Sequence, residues 1–246
     1  MTTPMKKICY IIAMRAEAQP LTEHFALRHA PDFFAPLPCQ LYRGTVGEAE
    51  IYVVHNGRQH DRDLIGCAAA AITTMAAIER LRPDIVISSG TCGAWQRYGA
   101  EVGRVYLGSG VMFHDRRVPG DNEWATQGLG NYPVWQGTAA LAQRLGMATG
   151  KVTTGSSFDM TAEEEAIIDQ NGGRLKEMEG AAVGFVCSLF STPLLLVKAV
   201  TNLRDAETDD METFQTNLRR ASTALMEANA KIVEELVKNK SNAITK

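Results

Sequence analysis

The chain predicts an α/β fold with a mainly parallel central sheet covered by helices. Three observations carry the prediction. Short apolar, β-branched runs alternate with stretches of helical periodicity along the whole length. The 246 residues are 45% hydrophobic and 22% charged, enough apolar surface for a full core. No Pro/Ser linker or low-complexity run divides the pattern, so residues 1–238 read as one domain and 239–246 as a frayed polar tail.

Each element has its own signal. Ile8 to Ala13 is a buried first strand. The lysines before it faintly imitate a secretion signal, but the apolar run of about seven residues is short and meets Arg15 and Glu17. Leu41 to Val46 and Ile51 to Val54 form a hairpin. Gly66 to Leu81 is an Ala-rich helix ended by Pro83, which lacks an N–H and disfavours helical geometry in the residue before it. The β-branched strand DIVISSG, residues 84 to 90, follows and runs into Thr91-Cys92-Gly93. A strand from Arg104 to Val111 leads to a segment between about 113 and 136, rich in Gly, Pro and Trp and long for a loop, which reads as a lid or interface element. Beyond it lie a helix near 138–146, a strand at Lys151–Thr154 and a helix begun by Thr161, whose spacing to Glu164 fits a capping box. A polar turn then runs through Glu179 into the small-residue helix GAAVGFVCSLF. The strand Leu194–Val200 and an amphipathic helix, Met211–Val237, close the domain.

Composition narrows the function. A formal charge of −3 argues against a nucleic-acid or anionic-membrane surface, and no segment approaches the roughly 18 apolar residues of a membrane span. Cysteines 9, 39, 67, 92 and 187 are odd in number and scattered, without metal or redox spacing, and fit reduced thiols in a cytoplasm. A small molecule is the expected partner. In an open α/β sheet it binds at the carboxyl ends of the strands. Four polar clusters fall there: Arg15-Ala16-Glu17, Thr91-Cys92-Gly93, the run Gly155 to Asp159, and Thr201-Asn202.

The stretch LKEMEGAAV, Leu175 to Val183, is the most informative. Glu179 at a helix mouth can accept two hydrogen bonds from a vicinal diol while the Met178 thioether covers a sugar face. The same carboxylate could instead serve only as a cap on the positive end of the helix. Lys176 and Glu177 flank it and shape the turn. His114 and Asp115 are adjacent, so a continuing strand turns them to opposite faces, and they read as structural.

With these motifs in view, the chain resembles the 5′-methylthioadenosine/S-adenosylhomocysteine nucleosidases, most closely the plant type. The resemblance runs from about residue 7 to 237 and includes IAMRAEA, LRPDIVISSGTCG, VMFHDRRVP, TTGSSFDM, LKEMEGAAV and VKAVTN in the family's order. It implies a nucleoside phosphorylase type I fold, a mixed central sheet flanked by helices, in a homodimer that hydrolyses the bond between adenine and a 5′-thio-substituted ribose without metal or cofactor. Glu17 matches the family's glutamate that acts on the attacking water, and Glu179 the residue that binds the ribose hydroxyls, with Met178 beneath the sugar. Thr91, Cys92 and Gly93 fit the sugar-side wall. Phe158 is expected to stack on the purine and the backbone of Asp159 to read its edge. The 113–136 segment resembles one that reaches the neighbouring subunit's pocket, with Trp124, Tyr132 and Trp135 as candidate contacts.

Phosphorolysis is the competing chemistry on this fold. It needs donors and positive charge around phosphate. Here the first strand is followed by no glycine before Gly44 and its loop carries Glu17, which favours water, while Arg15, Arg58, Arg116 and Arg117 keep the alternative open.

Two positions depart from the family. Asn202 replaces an aspartate that protonates adenine N7, and an amide can hydrogen-bond but cannot deliver a proton. The change is compatible with an introduced substitution, a preference for 6-oxopurines, or a purine-nucleoside-binding protein of low turnover. Asp205 could replace the acid only if its loop bent back. Ser156 stands where the plant-type pattern has aspartate.

Overall fold

A computed structural model describes residues 5–118, 120, 123–206 and 211–238; the tail expected at 239–246 lies outside the described residues. In chain order the elements are β1 (Lys7–Ile12), α1 (Arg15–His24), β2 (Arg28–Ala30), β3 (Gln40–Val46), β4 (Ala49–His55), β5 (Arg58–Gln59), β6 (Arg62–Asp63), α2 (Cys67–Leu81), β7 (Ile85–Ala94) and β8 (Val105–Phe113). They continue with α3 (Glu123–Leu129), α4 (Thr138–Leu145), β9 (Ala148–Thr154), α5 (Ala162–Gln170), β10 (Gly173–Glu177), α6 (Gly180–Leu189), β11 (Leu194–Leu203) and α7 (Met211–Val237).

Among the described residues nine strands form one mixed sheet in the order β10-β9-β8-β11-β7-β1-β4-β3-β2, and β10 also pairs with β7, closing a ring of five strands. The pairs β4–β1, β1–β7, β7–β11, β8–β9 and β9–β10 are parallel. The hairpin β3–β4, the β11–β8 pair and the closing β10–β7 pair are antiparallel. β1, β7 and β11 lie side by side, so their apolar runs are buried on both faces, as expected of central parallel strands. Alternate residues of β1 divide the core. Cys9 and Ile11 pack toward α2 and α6, while Ile8, Tyr10 and Ile12 pack toward α1 and α7.

Two readings of local structure require correction. The segment 113–136 contains the helix α3, and Tyr132 pairs its backbone with Val111 in both directions, so it is anchored to β8 rather than a plain loop. The polar turn before Glu179 is in fact the strand β10. Its residues GRLKE carry charge yet are held between β9 and β7, because Lys176 and Glu177 find partners indoors. The DIVISSG strand also continues to Ala94 and the LLLVKAV strand to Leu203, with a bulge between Val200 and Asn202. The extensions pair with each other, and that of β7 also pairs with β10, which keeps Thr91–Gly93 and Asn202 in the sheet. Thr161 and Glu164 exchange the two capping-box hydrogen bonds at 3.2 and 2.9 Å.

Among the described residues no helix is long and apolar enough to cross a membrane, and all five cysteines are free thiols.

Candidate active site

A cavity of about 250 Å³ opens where β1, β7 and β11 end, between the start of α1, the β10–α6 junction and the start of α7. Glu17 enters from the first turn of α1 and is only 4% exposed. The Thr91 N–H and hydroxyl both donate to its Oε1, at 2.7 and 2.8 Å, and the Met14 N–H donates to Oε2 at 3.3 Å. Burial pushes the Glu17 carboxyl above the usual range, more than these donors and the nearby Lys198 ammonium pull it down. Gly90 is a glycine for room, since a Cβ there would stand 3.3 Å from Glu17 Oε1.

Beneath the cavity Lys198 and Glu177 form an ion pair at 2.9 Å, each side chain 2% exposed. Lys198 also donates to Ser88 Oγ at 3.2 Å. Glu177 accepts from the Thr154 hydroxyl and from the N–H groups of Glu179 and Gly180, at 3.1 and 2.7 Å. Burial raises its carboxyl, but the Lys198 charge and these donors outweigh that and hold it below the usual value. The cap of α6 is therefore Glu177.

Glu179 is left for other work. Its side chain makes no cap bond to α6; the Gly66 N–H at the start of α2 donates to its Oε1 at 2.7 Å. Burial and the neighbouring Glu177 charge push its carboxyl up to about 7.

The opposite wall carries aromatic and basic groups. Lys176 Nζ donates to the carbonyls of Ser157 and Phe158, at 2.7 and 3.0 Å, and so pins the loop that presents Phe158. Burial and the Arg204 charge lower the Lys176 ammonium to about 8. Phe158 meets Phe214 of α7 edge to face, ring centres 5.7 Å apart. Asn202, 2% exposed, lines this wall, with Thr201 and Arg204 beside it. Sulfur, aromatic faces and paired carboxylates in one concave space suit a flat base joined to a diol-bearing sugar.

The chain is similar to known proteins over nearly its whole length. Residues 7–238 match the family model described as the phosphorylase superfamily. A 5′-methylthioadenosine nucleosidase of Arabidopsis thaliana is 38% identical over 94% of this chain and 87% of its own length. The chain belongs to the phosphorylase superfamily, on its plant-type methylthioadenosine nucleosidase branch. A second Arabidopsis thaliana protein, a 5′-methylthioadenosine/S-adenosylhomocysteine nucleosidase, is 32% identical over 94% of this chain and 92% of its own. The apo structure of an Arabidopsis thaliana 5′-methylthioadenosine nucleosidase superposes with a TM-score of 0.93 at 36% identity, covering 98% of this chain and all of that one. The mixed sheet flanked by helices is thus the nucleoside phosphorylase-type fold.

Within that superfamily frame, Glu17, Thr91, Cys92, Gly93, Phe158, Lys176, Glu177, Met178, Glu179 and Asn202 all line the one cavity. Asp159 is exposed and outside the lining, as is Ser156, whose N–H donates to Asp115 at 2.6 Å. Asp205 is turned away: its carboxylate accepts the N–H groups of Gln96 and Arg97, at 2.7 and 3.0 Å. His114 is buried against Gly155 and bonded to Thr153 at 2.8 Å. Tyr132 packs on Phe113 and Phe185, Trp135 packs over Gly137, and Trp124 is exposed. Arg15, Arg58, Arg116 and Arg117 line none of this cavity.

Lys198 and Arg204 were not singled out from sequence. Lys198 had a signal: a lysine inside LLLVKAV is costly to bury without a partner, and implies a carboxylate opposite. Arg204 had none. Among the described residues no group of three or more His, Cys, Asp or Glu could hold a metal ion.

Proposed function

We propose that the chain hydrolyses the N-glycosidic bond of purine nucleosides carrying a 5′-thio substituent, such as 5′-methylthioadenosine, to free base and 5-thioribose. The observation that supports this best is the Glu17–Thr91 pair. The N–H and hydroxyl at the end of β7 are donors that could cradle a phosphate, and a carboxylate already occupies both. A dianion would meet negative charge there, whereas water would meet a base.

In the reaction the C1′–N9 bond breaks with its electron pair passing to the base, and water oxygen bonds C1′. Glu17 takes the water proton as the sugar carbon becomes electrophilic. Glu179 accepts from the ribose hydroxyls, and Met178 covers the sugar. Asn202 donates a hydrogen bond toward N7 and leaves the departing base to collect its proton from solvent. Loss of a positioned acid costs about 10² to 10⁴ in rate, so turnover of adenine nucleosides is slow or redirected. A nucleoside-binding protein of low turnover is the reading that Asn202 favours in second place.

The resemblance implies a homodimer, and an apolar face supports it. Ile72 and Met75 of α2 and Phe185 and Leu189 of α6 are exposed, beside Ile65 at the cavity rim. We read 1–238 as one domain, and the free thiols as those of a cytoplasmic protein.

The test is base release from 5′-methylthioadenosine, S-adenosylhomocysteine and 5′-methylthioinosine with and without phosphate. Phosphate-independent release of base and reducing sugar is expected. A sugar phosphate product would overturn the hydrolase reading, and tight binding without release would favour the binding protein.

A further inference from the structure

Glu17 and Glu179 both sit at the mouth of a helix, where N–H groups without intrahelical partners compete for an acidic side chain. At α6 a second carboxylate, Glu177, takes the capping bonds, and the Glu179 side chain makes none. At α1 the cap must come from further away. Met14 precedes the helix and has no side-chain oxygen to offer. Glu17, the third helical residue, already reaches back to the Met14 N–H at 3.3 Å, which is one half of a capping box. The next N–H along, that of Arg15, donates at 2.9 Å to Asp63 Oδ2, which comes from a segment 48 residues away.

Asp63 is itself held in place. It faces Arg58 across the β5–β6 hairpin, and its Oδ1 lies 3.4 Å from Arg58 Nε and 3.5 Å from His55 Nε2. His55 Nδ1 accepts the Gly57 N–H at 3.1 Å, so the proton of the neutral ring is on the Nε2 that faces Asp63. The hairpin is rooted at the end of β1, where the Asn56 N–H donates to the Ile12 carbonyl at 3.1 Å and the Asn56 amide to the Leu64 carbonyl at 3.0 Å. Two residues beyond Leu64, the Gly66 N–H donates to Glu179. One segment, 56–66, therefore touches the helix that carries Glu17 and the side chain of Glu179. We propose that Asp63 is the positioning residue for Glu17: by capping α1 from outside the helix, it leaves the Glu17 carboxylate on Thr91 and free to act on water. The proposal rests on the nucleosidase reading and deepens it. Without Asp63 the Arg15 N–H is unpaired, next to the Met14 N–H that Glu17 already contacts, and the carboxylate is drawn off Thr91 to cap its own helix. A displacement of about 1 Å at a reacting group can cost about 10²-fold in rate.

The experiment removes the bond from each side in the full chain. Asp63→Ala deletes the acceptor, while Asp63→Asn keeps an oxygen there. Arg15→Pro deletes only the N–H relative to Arg15→Ala, at a first helical position that proline favours and after a Met14 already extended at φ −109° and ψ 141°. Measured are kcat and KM for base release from 5′-methylthioadenosine, and hydrogen exchange of the Thr91 amide, whose N–H Glu17 holds. Asp63→Ala should lower kcat roughly tenfold or more with KM changed less than about twofold, and Asp63→Asn should restore most of it. Arg15→Pro should fall below Arg15→Ala by a similar factor and exchange the Thr91 amide faster. A cap that only stabilised the fold would lower Tm and leave kcat per folded molecule unchanged, and that result in Asp63→Ala or Arg15→Pro would overturn the proposal. So would a loss in Asp63→Asn as deep as in Asp63→Ala, or KM rising in step with the fall in kcat. If the natural chain releases no base, the hydrolase reading fails, and exchange decides the placement of Glu17: faster exchange of Thr91 in Arg15→Pro sustains it, and unchanged exchange overturns it.

Discussion

Glu179 shows how one carboxylate is shaped by its neighbours. Its carboxyl sits at about 7 because burial and the Glu177 charge disfavour ionisation. Two consequences of opposite sign follow. Binding ribose hydroxyls through both oxygens needs the ionised form, so kcat/KM should fall as pH drops below about 7, and Glu179→Gln should remove that limb. Stability runs the other way. The folded state holds a proton that the unfolded chain releases near 4.5, so this group's contribution is full below the unfolded value and is lost as pH rises through about 7. Glu179→Gln should therefore raise Tm at pH 8 and show no advantage at pH 4, as thermal scans at the two pH values would reveal. Lys198 behaves differently, because its partner is already charged. Lys198→Met leaves Glu177 an unpaired buried anion and should cost about 3–5 kcal/mol in urea unfolding. Adding Glu177→Gln should recover most of the loss, since the amide oxygen can still accept from the Gly180 N–H at the start of α6.

At the scale of elements, the site depends on strands that run further than their apolar cores. The run DIVISSG is readable as a strand because its first residues are buried on both faces, but its extension through Thr91 to Ala94 is fixed by partners 80 to 110 residues away, which periodicity does not report. The same holds for β10: GRLKE has no strand-like alternation, and its charges are tolerated only because Lys176 and Glu177 are paired within the fold. The short helix α3 escapes for another reason, since seven residues carry too little pattern. By contrast α2, α5 and α7 were legible from alanine content, a capping box and an amphipathic repeat. Lys176 links strand to loop, so Lys176→Met should free the segment carrying Phe158. Two hydrogen bonds from a charged donor are lost, and KM should rise roughly tenfold or more while kcat changes less. A fall in kcat alone would contradict this positioning role.

For the whole molecule, the sheet brings strand ends from distant parts of the chain to one cavity, and the helices behind it leave an apolar face. Three of the four polar clusters placed at strand ends supply Glu17, Thr91 and Asn202 to that cavity, and the fourth supplies Phe158 but not Asp159. If α2 and α6 meet a second copy, light scattering coupled to gel filtration should give twice the 26.8 kDa chain mass, and a charge at Leu189, 65% exposed, should halve it. A monomer from the natural chain would contradict the dimer. The claim on which everything else rests is that Glu17 acts on water in a site closed to phosphate. The most direct measurement is kcat and nucleoside Kd for Glu17→Gln in phosphate-free buffer. A loss of about 10² to 10⁴ in kcat with Kd nearly unchanged is the predicted result. Full activity in the variant, or activity in the natural chain only when phosphate is added, would contradict it.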